Sequence, residues 1–338
     1  MESISLALGS RQDISIEDLL RLAKTADHLG YTGCFVGESW GMDAFTTLSA
    51  IASCTKDISV ATGIVPIFSR TPGLLAQSIT SLDIISHGRA ILGLGTSGRR
   101  VIEDWHGMKY DRPIQRSKEY LEIIRMALND APVNYDGNFF HLKRFKLAIS
   151  PVQQHIPLYL ASIGPSNLRL TGQLADGWLP IWTDFEQLPG LIGVITTAAK
   201  SAGRNISDIT IAPQILCCVA NNAEELYQAQ VDVSNHMAYY IGGMGEYYHD
   251  LFCRFGYQHQ ANAIKKAWVS GDRKLAASLV DNQMLDNITV IGDVETCRSK
   301  IARFRQMGAT MPVVAFHHRA TPNSMMNTIQ ALAPSDTD

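Results

Sequence analysis

Short apolar runs alternate along the chain with longer segments in which apolar residues recur every three or four positions. The first run, residues 3–8, precedes such a segment, which ends at Gly30. A period of three to four residues is typical of a helix with one buried face, and a glycine just after it favours helix termination. A second run, residues 33–37, begins the next pair. The pattern therefore predicts repeated β–α units.

The same alternation continues through the chain and predicts eight strands. They cover residues 3–8, 33–37, 58–64, 89–94, 157–161, 176–180, 209–219 and 311–316. The segments predicted to be helical between them include residues 44–54, 71–86 and 114–128, and residues 135–149, with Asp136-Gly137, are predicted to form a surface hairpin. Most strands are continuous apolar runs, as parallel strands buried on both faces require. Eight β–α steps in one chain predict an α/β fold of the (β/α)8 TIM-barrel type.

Residues 222–287 break this regular spacing. They form a predicted helical block between strands seven and eight that is too long for one barrel helix. Its aromatic residues are Tyr239, Tyr240, Tyr247, Tyr248, Phe252 and Trp268. Aromatic residues at helical spacing are usually core, which favours an insertion packed on the barrel and on a partner subunit. A lid over the site is the alternative. No low-complexity linker interrupts the chain, so we predict one domain over residues 1–338.

Composition and charge exclude several classes of function. Apolar residues make up 46% of the chain and charged residues 18%, which is typical of a globular protein with a large core. The net charge of −3 gives no electrostatic surface for nucleic acid or an anionic membrane. The chain has no apolar run of about 18 residues, and residues 1–13 lack a basic signal-peptide start. We therefore expect a cytoplasmic protein that acts on a small molecule.

Metal and nucleophile motifs are missing from the sequence. The six cysteines have neither CxxC nor zinc-finger spacing, so they read as small apolar residues in a reducing compartment. No HExxH, P-loop lysine or GxSxG occurs either. The sequence therefore predicts no metal site and disfavours hydrolase and metalloenzyme functions.

The fourth predicted strand ends in a glycine-rich turn made of Gly95, Thr96, Ser97 and Gly98. Glycines at the carboxyl end of a strand let a flat or anionic ligand approach bare backbone. In β/α repeat proteins this end of the strands is where sites are built. The turn does not match the dinucleotide fingerprint GxGxxG, but it predicts a cofactor site.

Six motifs in a fixed order show which family the chain resembles. They are FVGESW (35–40), TGIVPIFSRTP (62–72), GRAILGLGTSG (88–98), EDWHG (103–107), RSKEYLEIIR (116–125) and IPLYLASIGPSNLRLTGQLADGWLP (156–180). In this order they resemble the luciferase-like monooxygenase superfamily, in its branch of coenzyme F420-dependent oxidoreductases similar to methylenetetrahydromethanopterin reductase. The resemblance covers nearly the whole predicted barrel and weakens through residues 222–287.

The resemblance implies where a flavin or deazaflavin ring would lie. In this family the glycine that ends strand three begins a bulge, often with a non-prolyl cis peptide bond, that backs the ring. Here that bond is Gly63–Ile64, and an ordinary strand-ending glycine is the alternative. The resemblance also implies that Thr96, Ser97 and Gly98 follow the ribityl chain of the cofactor.

The turn between strand five and its helix is the implied phosphate site. Pro165 suits the first position of a helix, where its missing N–H costs nothing. The N–H groups at a helix N-terminus favour an anion. The residues of this turn are Ala161, Ser162, Gly164, Pro165 and Ser166. A plain helix start is the alternative interpretation.

Arg99 and Arg100 depart from the family pattern, since many relatives have Pro-Gln at this place. The pair is predicted either to bind an anionic cofactor tail or substrate carboxylate, or to be a solvated pair at the rim. Relatives that oxidise sugar phosphates carry an acidic residue near Gly98 and a histidine near Ser39. Both are absent, which argues against a sugar-phosphate substrate.

The candidate catalytic residues are Glu38 and His106. Glu38 could orient substrate or carry a proton, or could be salt-bridged to an arginine such as Arg70. His106 is the histidine inside a family motif and is the best proton-transfer candidate, although a histidine that fixes a loop by hydrogen bonds is equally compatible. Three further residues are predicted to contact substrate: Ser39, Trp40 and Trp105.

The resemblance implies hydride transfer between coenzyme F420 and a small organic substrate. One alternative is an FMN-dependent monooxygenase that receives reduced flavin from another enzyme. A second alternative is a flavin-binding barrel without catalysis. The resemblance also implies a homodimer, and we expect no nucleic-acid or membrane partner.

Overall fold

The computed structural model describes residues 2–9, 14–129 and 131–334. Its strands are β1 Ser5–Ala7, β2 Gly33–Val36, β3 Ser59–Thr62, β4 Val65–Pro66, β5 Ala90–Gly95, β6 Val133–Asp136, β7 His141–Phe145, β8 Leu158–Leu160, β9 Gly177–Trp178, β10 Thr210–Ile211, β11 Gln214–Val219, β12 Val290–Gly292 and β13 Val313–Ala315.

Helices follow most of the strands. They are α1 Ile16–His28, α2 Ala44–Cys54, α3 Pro72–Ile85, α4 Pro113–Leu128, α5 Pro165–Leu174, α6 Leu188–Ser201, α7 Ala223–Gly243, α8 Glu246–Phe252, α9 Gln258–Val269, α10 Arg273–Ser278, α11 Asn282–Ile288, α12 Val294–Gln306 and α13 Pro322–Ala331. None of these helices has the length and apolar character to cross a membrane.

The main sheet is parallel and curled, and its strands mostly follow chain order. Its order is β10-β9-β8-β5-β3-β2-β1-β13-β11-β12, with β4 beside β5. A parallel bridge between Ile181 and Gln214 joins the segment after β9 to β11. The predicted hairpin is confirmed as the antiparallel pair β6–β7, which begins at Val133 and ends at Phe145. The α/β class with a parallel sheet is therefore confirmed.

The predicted strand over residues 209–219 is divided in two. β10 pairs with β9, whereas β11 pairs with β13 and β12. Pro213 lies between them and has no N–H to donate to a neighbouring strand, which accounts for the break. β12, just beyond the predicted helical block, is a further difference. The sequence pattern did not predict it.

Local capping explains where the helices begin. The Ser15 hydroxyl accepts the Asp18 N–H at 3.1 Å at the start of α1. The Thr71 hydroxyl accepts the Leu74 N–H at 3.2 Å before α3, which opens with a proline. Such caps satisfy amides that a helix leaves without partners. After α1, Gly30 takes a φ of 82°, the conformation that its sequence position predicted.

Both faces of the sheet are buried, as the continuous apolar runs predicted. In β2, Cys34 and Val36 contribute to the core beneath the helices, whereas Phe35 joins a second core inside the curled sheet. Part of the segment 222–287, including Phe252, packs into that second core. Side chains of a strand point alternately to its two faces, so every residue of such a strand is apolar.

Four of the six cysteines are buried, and Cys54 and Cys253 are half-buried. All six are free thiols. Burial raises the pKa of Cys34 to about 12 and that of Cys218 to about 11. Cys217 and Cys218 belong to different cores, so their side chains face opposite ways, as predicted.

Candidate functional site

A cavity of about 910 Å³ lies at the carboxyl ends of the parallel strands. Residues that follow β2, β3, β5, β8, β9 and β13 contribute to its wall, and α7, α8 and α9 contribute a further part. Sites at this end of a parallel sheet are built from the loops after the strands. The position therefore agrees with the one that the glycine-rich turn predicted.

Fourteen of the predicted site residues line this cavity. They are Glu38, Ser39, Trp40, Gly63, Ile64, Gly95, Thr96, Ser97, Gly98, Ala161, Ser162, Gly164, Pro165 and Ser166. We call the part formed by Gly63, Ile64, residues 95–98 and residues 161–167 the strand-end wall. Arg99, Arg100, Trp105 and His106 do not line the cavity.

The bulge after β3 has the cis peptide bond that the resemblance implied, at Gly63–Ile64. The Gly63 N–H donates to the Val36 carbonyl at 2.8 Å, and the Glu38 N–H donates to the Ile64 carbonyl at 2.9 Å. A Cβ on Gly63 would lie 2.9 Å from the Cβ of Phe35. Glycine is therefore required here, and the bulge presents bare backbone to the cavity.

The glycine-rich turn presses directly on this bulge. A Cβ on Gly93 would overlap the Thr62 carbonyl oxygen, and one on Gly95 would lie 3.0 Å from the Ile64 side chain. Side chains are thus excluded where β5 passes β3. Beyond the turn, the Tyr110 hydroxyl donates to the Ser97 carbonyl at 3.5 Å. This closes the strand-end wall on one side.

The start of α5 is an open helix N-terminus at the cavity. Gly164 is its N-cap, Pro165 its first residue, and its first turn carries no acidic side chain. The Ser162 hydroxyl is committed to the Thr171 hydroxyl at 2.8 Å, so it is not the main ligand group. Asn167 Oδ1 is buried and has no hydrogen-bond partner among the described residues. Backbone N–H groups at such an end favour an anion.

Glu38 makes the ion pair that its alternative interpretation predicted. Both of its oxygens contact the Arg70 guanidinium, and one also accepts the Ala44 N–H at 3.1 Å. Arg70 also pairs with Asp43. Burial raises the pKa of Asp43, but hydrogen bonds from Thr46 and the charge of Arg70 outweigh it, so this pKa lies below its usual value. The network anchors the loop after β2.

Arg99 and Arg100 lie on the surface and pair with acidic residues one turn on. Arg99 contacts Glu103 at 2.9 Å, and Arg100 contacts Asp104 at 3.6 Å. Their side chains are 62% and 75% exposed. This arrangement agrees with a solvated pair at the rim, and binding of an anionic group by the two arginines stays a prediction. Trp105, in the same π-helical turn, is 64% exposed.

His106 ends that turn and also lies outside the cavity wall. Its N–H donates to the Val101 carbonyl at 3.1 Å, which closes the turn. Its Nε2 atom is buried and has no hydrogen-bond partner among the described residues. Its part in proton transfer stays a prediction that this geometry does not favour.

Two histidines that the sequence analysis did not select line the cavity. His236 lies in α7 and His318 follows β13. Their rings meet edge to face with centroids 4.9 Å apart, and the Tyr240 ring lies 5.2 Å from His236. Next to them, Arg319 pairs with the buried Asp232 at 3.2 Å. His318 could have been selected from the sequence, because it lies just after the last predicted strand and side chains at this end of the strands form such sites.

The helical block contributes to both the core and the cavity. Phe252 is fully buried. Five other aromatic residues line the cavity: Tyr239, Tyr240, Tyr247, Tyr248 and Trp268. The block thus packs into the core and lines the cavity, while its role as a lid or as a partner interface stays a prediction.

Comparison with known proteins identifies the family. The luciferase-like monooxygenase family matches residues 3–311. A candidate coenzyme F420-dependent oxidoreductase of Mycobacterium tuberculosis is 29% identical, over 87% of this chain and 89% of its own length. A 5,10-methylenetetrahydromethanopterin reductase of Methanolobus tindarius is 28% identical, over 86% of this chain and 87% of its own length.

A solved structure supports the fold. The coenzyme F420-dependent tetrahydromethanopterin reductase of Methanopyrus kandleri superposes with a TM-score of 0.85 and 23% identity, over 98% of each chain. This likeness confirms the α/β fold, and the family match confirms the resemblance that the six motifs carried. The chain therefore belongs to the luciferase-like monooxygenase family.

Proposed function

We propose that the protein is an oxidoreductase that transfers hydride between non-covalently bound coenzyme F420 and a small organic substrate. The observation that carries this proposal is the strand-end wall, where bare backbone at Gly63–Ile64 faces a cavity that also holds an open helix N-terminus. The relatives whose names specify F420 support the choice of cofactor. When bound, a deazaflavin supplies a two-electron centre that passes hydride and reacts poorly with oxygen.

The residues present fit such a cofactor. Contacts with Phe35 and with Ile64 leave no room for a Cβ at Gly63 and at Gly95, respectively. Both positions would therefore present bare backbone to the flat ring of the cofactor. Residues 96–98 would follow the ribityl chain with hydroxyl and N–H groups. The amides at the start of α5 would hold the phosphate, with Ala161, Gly164 and Ser166 shaping the turn.

The protein itself has to orient the cofactor and the substrate and to exclude water from the site. The Glu38–Arg70–Asp43 network fixes the loop that carries Ser39 and Trp40, and both of these line the cavity. We assign Glu38 to positioning, because its oxygens are taken up by Arg70 and the Ala44 N–H.

Hydride transfer to a double bond also requires a proton, and we assign its movement to His236 and His318. Burial raises the pKa of Tyr240 to about 12 and raises the pKa of Tyr110 and Tyr248 further, so these phenols keep their protons. Both rings line the cavity with their centroids 4.9 Å apart, and a neutral imidazole has one nitrogen that donates a proton and one that accepts a proton, so each ring can pass a proton on.

We also propose that the curled sheet is a closed (β/α)8 barrel and that residues 1–338 form one domain with residues 222–287 inserted between strands seven and eight. The Ile181–Gln214 bridge supports closure, because it joins the segment after β9, which lies next to one end of the strand order, to β11, which lies next to the other end. We propose, finally, that the protein is a homodimer located in the cytoplasm.

An anaerobic turnover assay tests the reaction. Reduced F420, the enzyme and a panel of unsaturated substrates are mixed, and the reappearance of oxidised deazaflavin absorbance is followed. We expect enzyme-dependent reoxidation with at least one substrate class. Turnover that requires oxygen and reduced FMN, with none from F420, would contradict the proposal.

An FMN-dependent monooxygenase is the second candidate. The ring cradle and the helix N-terminus would suit FMN as well, and the family to which the chain belongs takes its name from monooxygenases. Oxygen consumption with chemically reduced FMN would favour it. Tight flavin binding without any turnover would instead favour a non-catalytic barrel.

A further inference from the structure

The cavity face opposite the loops is aromatic and comes from a single segment. Tyr239 and Tyr240 lie in α7, Tyr247 and Tyr248 in α8, and Trp268 in α9. We call these five residues the aromatic wall. All of them belong to residues 222–287, where the resemblance to the family is faintest, so the substrate specificity of this protein is expected to reside there.

The rings of the aromatic wall hold one another in place. Tyr240 and Tyr248 pack edge to face with centroids 4.7 Å apart, and Tyr239 and Tyr240 do so at 5.7 Å. Trp268 lies 5.7 Å from Tyr239. Edge-to-face contacts of this kind are favourable and directional. The wall is therefore a preformed surface that loses little side-chain freedom when a ligand binds.

Trp268 is fixed from two sides. Gly242 and Gly243 in α7 leave room for its indole ring, because a Cβ on Gly242 would overlap the ring and one on Gly243 would lie 3.0 Å from its Nε1. The Arg273 guanidinium lies 3.7 Å from the ring centroid and also donates to the Trp268 carbonyl. The adjacent glycines thus have a packing role that places an aromatic ring at the cavity.

The aromatic wall also contacts the loop on the opposite side of the cavity. Tyr247 lies 6.3 Å from Tyr110, which is stacked on Phe68 at 5.2 Å. Trp40 lines the cavity from the loop after β2 and is 49% exposed. A ligand in this half of the cavity would therefore have aromatic rings on more than one side.

The aromatic wall favours a neutral ligand. Burial raises the pKa of Tyr239, Tyr240 and Tyr248, so these phenols keep their protons and offer neutral O–H donors. Two of the charged side chains that line the cavity are already paired, Glu38 with Arg70 and Arg319 with Asp232. The aromatic wall itself contains no acidic or basic residue, so an anionic group placed against it would lose water without gaining an ion pair there, which is costly in a partly buried site.

We propose that the aromatic wall is the substrate subsite and takes a neutral, planar, conjugated carbonyl compound, such as a quinone. Ring faces favour planar conjugated ligands by stacking, and phenol hydroxyls donate to carbonyl oxygens. This inference rests on the proposed function. Reduction of a quinone consumes one hydride, with oxidation of reduced F420, and one proton, and yields the hydroquinone.

The test compares three probes on the full chain by equilibrium dialysis, with and without oxidised F420. They are 1,4-naphthoquinone, its saturated analogue decahydronaphthalene-1,4-dione, and the anionic 1,4-naphthoquinone-2-sulfonate. We expect the neutral quinone to bind most tightly. Equal affinity for the quinone and its saturated analogue, or tighter binding of the sulfonate, would overturn the inference.

Variants locate the binding. Tyr247→Leu and Trp268→Leu should each weaken naphthoquinone binding about two- to tenfold by removing one aromatic ring contact. Tyr247→Phe, which keeps the ring, should retain most of the affinity. Tyr227→Leu is the matched control, because Tyr227 lies on α7, is 68% exposed and does not line the cavity. Equal losses in Tyr247→Leu and Tyr227→Leu would overturn the assignment.

The same titrations separate this inference from the proposed function. F420 affinity should be the same in the wild type and in all of these variants. An absence of F420 binding to the wild type overturns the proposed function. F420 binding without a preference for the conjugated probe overturns the inference alone.

Discussion

The strand-end wall and the aromatic wall face the same cavity but are built by different means. In the strand-end wall, short motifs of glycine, serine and proline set the backbone directly, as at Gly63 and Pro165. In the aromatic wall, side chains far apart in sequence are brought together by helix packing, as at Tyr239 and Trp268. A site formed by backbone groups depends on residues that are close in sequence, whereas a site formed by side chains depends on how the helices and strands pack. We therefore expect the first wall to hold the cofactor and the second to select the substrate.

The largest effect should come from Gly63. Gly63→Ala places a Cβ 2.9 Å from Phe35, so the bulge must move and F420 binding should be lost, a fall in affinity of more than about a hundredfold, equivalent to about 2.7 kcal/mol. Gly73→Ala is the matched control, because a Cβ there meets nothing within 4 Å. Affinity is measured by fluorescence titration, and circular dichroism checks the fold. Unchanged F420 affinity in Gly63→Ala would show that the cofactor ring does not bind at the strand-end wall.

The histidine pair should have the next largest effect, on turnover rather than on binding. His318→Gln should lower kcat about a hundredfold, the scale of general acid–base catalysis, with F420 affinity retained.

His141→Gln on the exposed hairpin is the control for that variant, since His141 pairs with Asp136 outside the cavity. A kcat near the wild-type value in His318→Gln would show that another group moves the proton.

Charge at the start of α5 should have a moderate effect. Pro165→Asp places a carboxylate where the proposed phosphate binds, so affinity for F420 and for FMN should fall about tenfold by like-charge repulsion. The helix itself should remain stable, because an acidic residue in the first turn favours the helix dipole. Pro165→Ala is the control, because it removes the proline ring without adding a charge. Equal affinities of the Asp and Ala variants would place the phosphate elsewhere.

The smallest effect is expected at the rim. Replacing Arg99 and Arg100 with alanine removes two exposed ion pairs and should change the free energy of unfolding by no more than about 1 kcal/mol. F420 and FMN affinities should change little and equally. A selective loss of affinity for long-tailed F420 would restore the tail-binding role that the sequence suggested.

The sequence predicted the features that depend on local chemistry. Every predicted cofactor residue lines the cavity, because glycine at a strand end and proline at a helix start constrain the backbone wherever they occur. The strand predicted over residues 209–219 is divided at Pro213. This proline was a local signal in the sequence, but the apolar residues on both sides of it suggested one continuous strand. The Glu38–Arg70 pair spans 32 positions and could be named only as an alternative.

The features that escaped prediction depend on packing. His236 and His318 are 82 positions apart in the sequence and meet only because α7 packs against β11 and β12, next to the loop that follows β13. Arg99 and Arg100 adjoin a cavity motif, yet a π-helical turn directs them to solvent beside Glu103 and Asp104. Proximity in sequence to a site motif therefore did not ensure a place in the site.

Parallel anaerobic titrations of the wild-type protein with F420 and FMN test the central claim most directly. The account predicts saturable binding of F420, tighter than that of FMN, and its loss in Gly63→Ala but not in Tyr247→Leu. Tighter binding of FMN, or F420 affinity that depends on Tyr247 and not on Gly63, would contradict it.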